Sequence, residues 1–228
     1  MKKFLVLLAI LSLSLMAWAD EKEDAIDRLD NATKVLSQVM STPDKGIPNE
    51  VLDSAKCIAI VPHMIKGGFV FGAKHGRGVA TCRTASGSWS APSFFAVTGG
   101  SWGAQIGVEG VDLVMMIMND KGMQQLLNSK FQIGADVSAA AGPVGRHASA
   151  GTDWKLNTEI LTYSRAKGAF AGATLEGAGI SQDEDAIRAI YAKDLTPRAI
   201  LTGKVTPPAS AQQFLATVRD AKTMAAKQ

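Results

Sequence analysis

Hydrophobic positions near the N-terminus recur with the period of an amphipathic helix. Between residues 21 and 41, apolar side chains appear at intervals of three and four, at Ala25, Ile26, Leu29, Leu36, Val39 and Met40. The turn-forming segment Ser41-Thr-Pro-Asp-Lys-Gly46 ends this pattern. The pattern therefore predicts a helix over residues 21–41. A second, short helix is expected over residues 48–55, with Pro48 in its first turn.

From residue 57 to residue 119 the pattern changes to short β-rich runs punctuated by glycine. The runs lie at residues 57–61, 68–74, 78–83, 93–98, 102–108 and 111–118. Residues 74–78 and 85–88 have the composition of turns, so the runs predict an antiparallel meander. The continuous apolar run at 111–118 is too short to cross a bilayer as a helix. It predicts a strand that is buried on both faces.

The rest of the chain alternates between short helix and strand patterns. A helix is predicted at residues 120–127, capped by Asn119 or Asp120. Strands are predicted at 132–141, 159–165 and 169–179, and helices at 186–191, at 196–201 and after Pro207-Pro208. The chain shows no βαβ alternation. The expected fold is therefore α+β: an antiparallel, glycine-rich sheet or barrel-like sheet, flanked by N-terminal and C-terminal helices.

The first 19 residues have the features of a signal peptide. Lys2 and Lys3 precede an apolar run at residues 4–16, and Ala17-Trp18-Ala19 supplies the small-x-small cleavage pattern. Export to the periplasm or out of the cell is therefore expected, with residues 20–228 forming a single mature domain. An uncleaved N-terminal membrane anchor is the alternative interpretation.

If the protein is exported, its two cysteines are candidates for a disulfide. Cys57 and Cys82 each lie in a run that is predicted to be a strand. In an oxidising compartment, two cysteines on neighbouring strands are expected to form a disulfide. Two buried free thiols are the alternative.

Composition and charge exclude some classes of protein. With 46% hydrophobic and 20% charged residues, the chain is neither disordered throughout nor a membrane bundle. Removing Lys2 and Lys3 lowers the formal net charge from +3 to +1. The overall charge therefore argues neither for nor against a polyanionic partner. No nucleic-acid partner is expected.

The sequence contains no recognisable catalytic or metal-binding motif. His63, His75 and His147 do not have the spacing of zinc ligands. The Gly-x-Ser-x-Gly motif of a nucleophilic serine is absent from the sequence. The glycines of residues 67–72 lack the Lys-Ser/Thr of a phosphate-binding loop. We therefore expect no catalytic residue, metal or cofactor. An enzyme remains an alternative, in which folding brings a histidine to one of three acids: Asp112, Asp136 or Asp153. A cross-strand partner or an edge position is the simpler interpretation of Asp112.

Five cationic residues lie beside glycine-rich turns or at strand ends: Lys66, Lys74, Arg77, Arg83 and Arg146. Cationic side chains and exposed backbone N–H groups can together hold a phosphate. These residues are the candidate lipid-binding set. Scattered, solvated charges are the alternative interpretation.

A series of short motifs closely resembles the SYLF family of lipid-binding domains. The motifs occur in order within residues 31–191, and residues 192–228 are expected to be a C-terminal helical extension. They are Ala55-Lys-Cys-Ile-Ala-Ile-Val-Pro62, Lys66-Gly-Gly-Phe-Val-Phe-Gly72, Gly76-Arg-Gly78, Cys82-Arg83, Trp89-Ser-Ala-Pro92, Gly103-Ala-Gln-Ile-Gly107, Asp112-Leu-Val114, Asn119-Asp120, Gly134-Ala-Asp136, Ala141-Gly-Pro-Val-Gly145 and Tyr163-Ser-Arg165.

The resemblance implies binding of phosphoinositide or other anionic phospholipid, without catalysis or a cofactor. Eukaryotic members also bind and bundle actin, which an exported protein would not meet. In the family, membrane attachment is linked to an amphipathic N-terminal helix and to basic residues. Here residues 20–34 contain six acidic and three basic side chains, a net charge of −3 that anionic headgroups repel. The final helix and the basic loops are the remaining candidate membrane faces, although core packing is the default interpretation of both terminal helices.

A second hypothesis is a structural or protein-interaction component of the cell envelope. The Gly/Ala-rich segment at residues 135–145 would then pack against another chain or a second copy, so that the protein forms a homo-oligomer.

Overall fold

The computed structural model describes residues 2–42, 46–68, 71–102, 107–144, 158–166, 169–172, 175 and 177–226. Six α-helices lie in this part of the chain: α1 (Lys2–Met40), α2 (Asn49–Ser54), α3 (Asp120–Leu126), α4 (Glu184–Tyr191), α5 (Pro197–Leu201) and α6 (Gln212–Ala226). The strands are β1 (Cys57–Gly68), β2 (Phe71–Cys82), β3 (Ser93–Trp102), β4 (Gly107–Ile117), β5 (Lys130–Gln132), β6 (Ala139–Ala141), β7 (Ile160–Ala166), β8 (Ala169–Gly172) and β9 (Gly179–Gln182).

The strands form one curled sheet with the order β5-β9-β3-β2-β1-β4-β7-β6, and β8 pairs with β7. All of these pairs are antiparallel except β6–β7. The predicted α+β class, with a barrel-like antiparallel sheet between N-terminal and C-terminal helices, is confirmed. None of the helices in the described ranges has both the length and the apolar run needed to cross a membrane.

One face of the sheet packs against α1, α4 and α6. The apolar side chains that α1 places at helical spacing, from Ala25 to Met40, are buried against strand residues such as Ile60 and Val114. Phe214, Leu215 and Val218 of α6 lie in the same cluster, so the C-terminal extension belongs to this core. Each such side chain contributes about 1.5–3 kcal/mol through its removal from water. The apolar stripes of both terminal helices are therefore core surfaces.

The opposite face of the sheet has its own hydrophobic cluster. Leu113, Met115 and Ile117 of β4 point into it, while Val114 and Met116 point to the α1 side. This alternation confirms that β4 is buried on both faces. Leu126 of α3 is among the residues that cover this second face.

The sheet corrects two expectations about residues 57–119. β1, β2 and β3 form a meander, but β4 returns to pair with β1, which produces a Greek-key order. Residues 74–78, expected to be a turn, continue β2. The glycines there serve close packing, because a Cβ at Gly76 would lie 2.5 Å from Val61 Cγ1 and one at Gly78 would lie 2.6 Å from Ile60 O.

Two strands that were predicted as continuous are each divided. The 132–141 segment contains the last residue of β5 and all of β6, separated by a turn in which Gly134 has φ 96°. The 169–179 segment contains β8 and the first residue of β9. The predicted helices at 120–127 and 196–201 and the predicted strand at 159–165 correspond to α3, α5 and β7. In α3, the Asn119 side chain accepts a hydrogen bond from Gly122 N at 2.9 Å, which confirms the predicted cap.

The cysteine pair is compatible with a disulfide. Cys57 and Cys82 are register partners at one end of the β1–β2 pair, and both are fully buried with their sulfur atoms at bonding distance. A bond here would connect positions 25 residues apart in the chain.

We expect the Cys57→Ser/Cys82→Ser double variant to lose about 3 kcal/mol of unfolding free energy, because the bond would restrict the unfolded chain. Urea unfolding of the oxidised protein, the reduced protein and the double variant measures this loss. The reduced wild type should resemble the variant. An unfolding midpoint that does not change on reduction would contradict the disulfide.

Candidate functional site

The structure places the five candidate cations in different environments. Lys66 and Lys74 are register partners on β1 and β2. Arg77 is three residues further along β2, and its side chain therefore lies on the opposite face from Lys74. Arg83 lies past the other end of β2, and Arg146 falls outside the described residues. Only Lys66 and Lys74 are brought together among the four that are described.

Arg77 is held by acidic residues of α1 and by Asp183. Its Nε donates to Asp183 Oδ2 at 3.0 Å, and its Nη1 donates to Asp24 Oδ2 at 2.7 Å. Its Nη2 also donates to Glu21 Oε1. The acidic character of α1, unfavourable for contact with an anionic membrane, is thus used in part to bind the sheet.

Arg28 completes this cluster from within α1. Its side chain is 5% exposed and donates to Asp183 at 2.8 Å and to Asp24 at 2.6 Å. Its guanidinium also lies 5.5 Å from the centroid of the Phe94 ring. We call Glu21, Asp24, Arg28, Arg77 and Asp183 the ionic cluster. Because it joins α1 to β2 and to the start of α4, it fixes the position of α1 over the sheet.

Asp183 is the central carboxylate of the ionic cluster. Burial by itself would raise its pKa, but hydrogen bonds from Arg28 and Ala186 N and the charges of both arginines outweigh burial. The pKa of Asp183 therefore lies below its ordinary value. The same side chain caps α4, because Oδ1 accepts from Ala186 N at 3.2 Å.

Arg83 has contacts within the protein. Its Nε and Nη2 donate to the carbonyl oxygens of Ala55 and Leu52 at 3.1 and 3.2 Å, at the end of α2. Its guanidinium lies 4.5 Å from the centroid of the Trp89 ring. Arg83 therefore connects α2 to the segment that follows β2.

Lys66 and Lys74 lie near the ends of β1 and β2 that are remote from Cys57 and Cys82. Lys74 is buried, and a Cβ on its register partner Gly99 would lie 2.8 Å from Lys74 Cε. The absence of a side chain at position 99 thus makes room for the lysine. Burial, followed by the charge of Lys66, lowers the pKa of Lys74. An anion placed beside both ammonium groups would offset their mutual repulsion.

Asp112 has a cross-strand partner, as its simpler interpretation predicted. Its register partner on β7 is Arg165, whose Nε lies 3.4 Å from Asp112 Oδ2. Arg165 also donates to Gln38 of α1. Asp112 Oδ1 accepts from the backbone N–H of His63 at 3.0 Å, where the β1 bulge gives His63 a φ of 50°. Asp112 therefore stabilises both the bulge and the C-terminal part of α1.

Folding brings one pair of the enzyme alternative, Asp112 and His63, close together, with 3.6 Å between Oδ1 and Nδ1. Asp136 borders a separate cavity of about 420 Å³, whose lining includes neither Asp112 nor His63. Asp153 falls outside the described residues. In the described ranges, no three His, Cys, Asp or Glu side chains form a group that could hold a metal ion.

The ion pairs of Arg28, Asp183 and Arg165 were not predicted from the sequence. Arg28 carries a local signal, because it follows Asp24 by four residues in a predicted helix. The Arg28–Asp183 hydrogen bond joins residues 155 positions apart, and no local pattern indicates it.

The comparison with known proteins identifies the family. A family model described as "Ysc84: Las17-binding protein actin regulator" matches residues 98–221, more than half of the chain. The chain belongs to the Ysc84 family. This is the SYLF family that the sequence motifs resemble, so the predicted family is confirmed.

Several relatives of this Ysc84-family chain are much longer proteins. SH3 domain-containing YSC84-like protein 1 of Bos taurus is 32% identical over 195 residues, covering 85% of this chain and 56% of the bovine protein. Protein YSC84 of Saccharomyces cerevisiae is 35% identical over 175 residues, covering 75% and 37%. LAS seventeen-binding protein 3 of the same yeast is 35% identical over 168 residues, covering 72% and 36%. The chain thus spans between about a third and somewhat over half of these relatives.

We expect Asp183→Asn to lower the unfolding free energy by about 2–4 kcal/mol, because it removes the least exposed of the carboxylates that pair with the buried Arg28. Asparagine retains the ability to cap α4. Urea unfolding measures the loss, and Asp194→Asn, which alters the exposed Arg188–Asp194 pair, is the matched control with a much smaller effect.

The same pair of proteins gives a pH test. Because the pKa of Asp183 is lowered in the folded state, its stabilisation is complete above the ordinary Asp value of about 4 and is lost as pH falls through the lowered value. The difference in unfolding free energy between wild type and Asp183→Asn should therefore become smaller as the pH falls below about 4. A difference that stays constant down to acid unfolding would show that the charge of Asp183 has no such role.

Proposed function

We propose that this Ysc84-family chain is a non-catalytic binding domain that recognises anionic phospholipid headgroups through Lys66 and Lys74. The observation that carries the proposal is the placement of two lysines at register-partner positions near the strand ends. Burial and then the charge of Lys66 lower the pKa of Lys74, and a bound phosphate would offset the second of these causes. Near an anionic membrane, a lysine at the protein surface contributes about 1 kcal/mol.

The internal contacts of Arg77 and Arg83 argue against these two cations as headgroup ligands. Arg77 and Arg83 use their guanidinium groups within the fold, in the ionic cluster and at the end of α2 respectively. Recruiting either arginine to a headgroup would break those contacts. Arg146 stays a candidate from sequence alone. The family resemblance to lipid-binding domains supports the same ligand class.

We also propose that the chain is exported, as residues 1–19 predict, and that it acts in the periplasm or outside the cell. The buried Cys57–Cys82 pair supports this, because disulfides persist in oxidising compartments.

We expect the Lys66→Gln/Lys74→Gln variant to bind anionic vesicles about 5- to 30-fold more weakly at low salt, since each lysine that reaches the membrane surface contributes about 1 kcal/mol. Co-sedimentation with vesicles of phosphatidylcholine and phosphatidylserine measures the affinity, and vesicles of phosphatidylcholine alone should bind neither protein. Inositol phosphate added as a competitor distinguishes recognition of a free headgroup from recognition of a membrane surface.

The charge-matched control is Lys193→Gln/Lys204→Gln, which removes two exposed lysines elsewhere. It should bind nearly as well as wild type. The Lys66→Gln single variant leaves the buried Lys74 in place and tests the same site with less risk to folding. Equal losses in the two double variants, or no sedimentation of the wild type with any anionic lipid, would contradict the proposal.

Protein interaction is a second candidate function, and an edge strand favours it. β6 ends the sheet path, so one of its sides has no strand partner among the described residues. Val144, just beyond β6, is 40% exposed. The matched family model is itself described as Las17-binding, which concerns a protein partner. The Gly/Ala-rich segment that was predicted to contact a second copy includes β6.

If β6 pairs with a second copy, light scattering should show a dimer whose proportion increases with concentration. Ala141→Pro would remove the backbone donor of an exposed β6 residue and should shift the population to monomer. A monomer at every concentration, with and without lipid vesicles, would contradict self-association through β6.

A further inference from the structure

A cavity of about 350 Å³ lies between the turn that follows β2 and the segment that joins α5 to α6. Its lining comes from residues within 84–91 and 202–207. We call it the hydroxyl pocket, because serine and threonine side chains form much of this lining. Its volume falls in the range of about 300–1,000 Å³ that small-molecule sites occupy. The pocket lies beyond the Cys82 end of β2, away from Lys66 and Lys74.

Both walls of the hydroxyl pocket are held in place by the fold. In the turn, Thr84 N donates to Ser88 O at 2.8 Å, and Gly87 N donates to Thr84 O at 2.9 Å. In the opposite wall, Gly203 has a φ of 82°, and a Cβ there would lie 2.5 Å from Thr84 Cγ2. Glycine at position 203 thus lets the joining segment approach the turn closely. Because the fold positions both walls, little conformational entropy is lost when a ligand binds.

Three hydroxyl groups of the turn form a closed triangle. Thr84 Oγ1 lies 2.9 Å from both Ser86 Oγ and Ser88 Oγ, and the two serine oxygens are 3.0 Å apart. A hydroxyl group has one donor hydrogen and two acceptor lone pairs. When each hydrogen is used within the triangle, or on Ser88 O at 3.1 Å from Thr84 Oγ1, only acceptors remain for a ligand. The triangle therefore favours a ligand that carries several donor groups.

The described lining of the hydroxyl pocket contains no charged side chain. An ammonium group bound there would have no carboxylate in the lining to neutralise it, and an anionic ligand would have no cation. Removing an unpaired charge from water is costly. The donors of the ligand are therefore expected to be neutral, as alcohol hydroxyl groups are.

Trp89 adds an aromatic wall to the hydroxyl pocket. The Arg83 guanidinium lies 4.5 Å from the centroid of its ring and is itself hydrogen-bonded to the end of α2, so the position of the ring is fixed. Trp89 is only partly buried, and an indole offers a large apolar surface to a ligand. Val205 and Pro207 add apolar atoms to the lining. A matching ligand has neutral hydroxyl groups at its edge and an apolar face of C–H groups, as a pyranose ring has.

We propose that the hydroxyl pocket binds a neutral sugar ring of a glycan. The C–H face of the ring lies on Trp89, and its hydroxyl groups donate to the triangle of Thr84, Ser86 and Ser88. This site is separate from the lysine pair of the proposed function and does not depend on it.

NMR titration with neutral sugars tests the proposal. The probes are glucose, N-acetylglucosamine, cellobiose and maltose, and the signal is the indole N–H resonance of Trp89, assigned with Trp89→Phe. We expect at least one probe to shift this resonance until it saturates. Ser86→Ala/Ser88→Ala should bind that sugar at least about five-fold more weakly, because two hydrogen bonds are lost. Both serines are exposed, so the variant carries little risk to folding.

Two variants and two charged sugars serve as controls. Ser41→Ala/Ser54→Ala removes two exposed hydroxyl groups elsewhere and should bind the sugar as wild type does. Lys66→Gln/Lys74→Gln should also retain the sugar affinity, whatever its effect on vesicle binding. The cationic glucosamine and the anionic glucose 6-phosphate should each bind more weakly than glucose.

The outcomes are distinct from those of the phospholipid experiment. A saturable shift that only Ser86→Ala/Ser88→Ala weakens, with preference for neutral sugars, would support the sugar site even if the protein bound no vesicles. Absence of a saturable shift with all four neutral sugars would overturn it. Equal losses in the two serine variants, or tighter binding of either charged sugar, would overturn it as well.

Discussion

The docking of α1 across the sheet is the constraint on which the rest of the structure depends. Apolar packing supplies most of its stability, since Leu29, Leu36 and Met40 are fully buried. Packing alone would permit the helix to slide along the sheet. Two polar contacts prevent this: the ionic cluster near Glu21 and Arg28, and the Gln38–Arg165–Asp112 chain near the end of the helix.

This constraint divides the cations of the protein into two groups. Arg28, Arg77 and Arg165 neutralise carboxylates between packed elements, where an unpaired charge would be costly. Lys66 and Lys74 are instead register partners on β1 and β2, and Lys66 also has Glu109 of β4 as a register partner. Membership of the Ysc84 family does not by itself separate these two groups of cations, because the separation depends on the contacts that each side chain makes in this chain.

The glycines of the central strands have a related role. Gly76 and Gly78 permit close packing over Val61 and Ile60, and Gly99 makes room for the buried stem of Lys74. Gly76 and Gly78, in a segment that was expected to be a turn, are therefore packing positions within the sheet. The two adjacent lysines depend on this packing for their position.

Periodicity and motif order in the chain determined the C-terminal half of α1, predicted as residues 21–41, together with the doubly buried β4, the α+β class and the family, because these features depend on neighbours in sequence. Local patterns wrongly predicted a turn at residues 74–78 and a meander in place of the Greek key. A glycine-rich composition does not show which side chains pack against a segment or which strand pairs with it. Only the tertiary structure decided which cations are used internally. Arg77 and Glu21 are 56 residues apart, and Arg28 and Asp183 are 155 apart, so their pairing arises only when the helices close over the sheet.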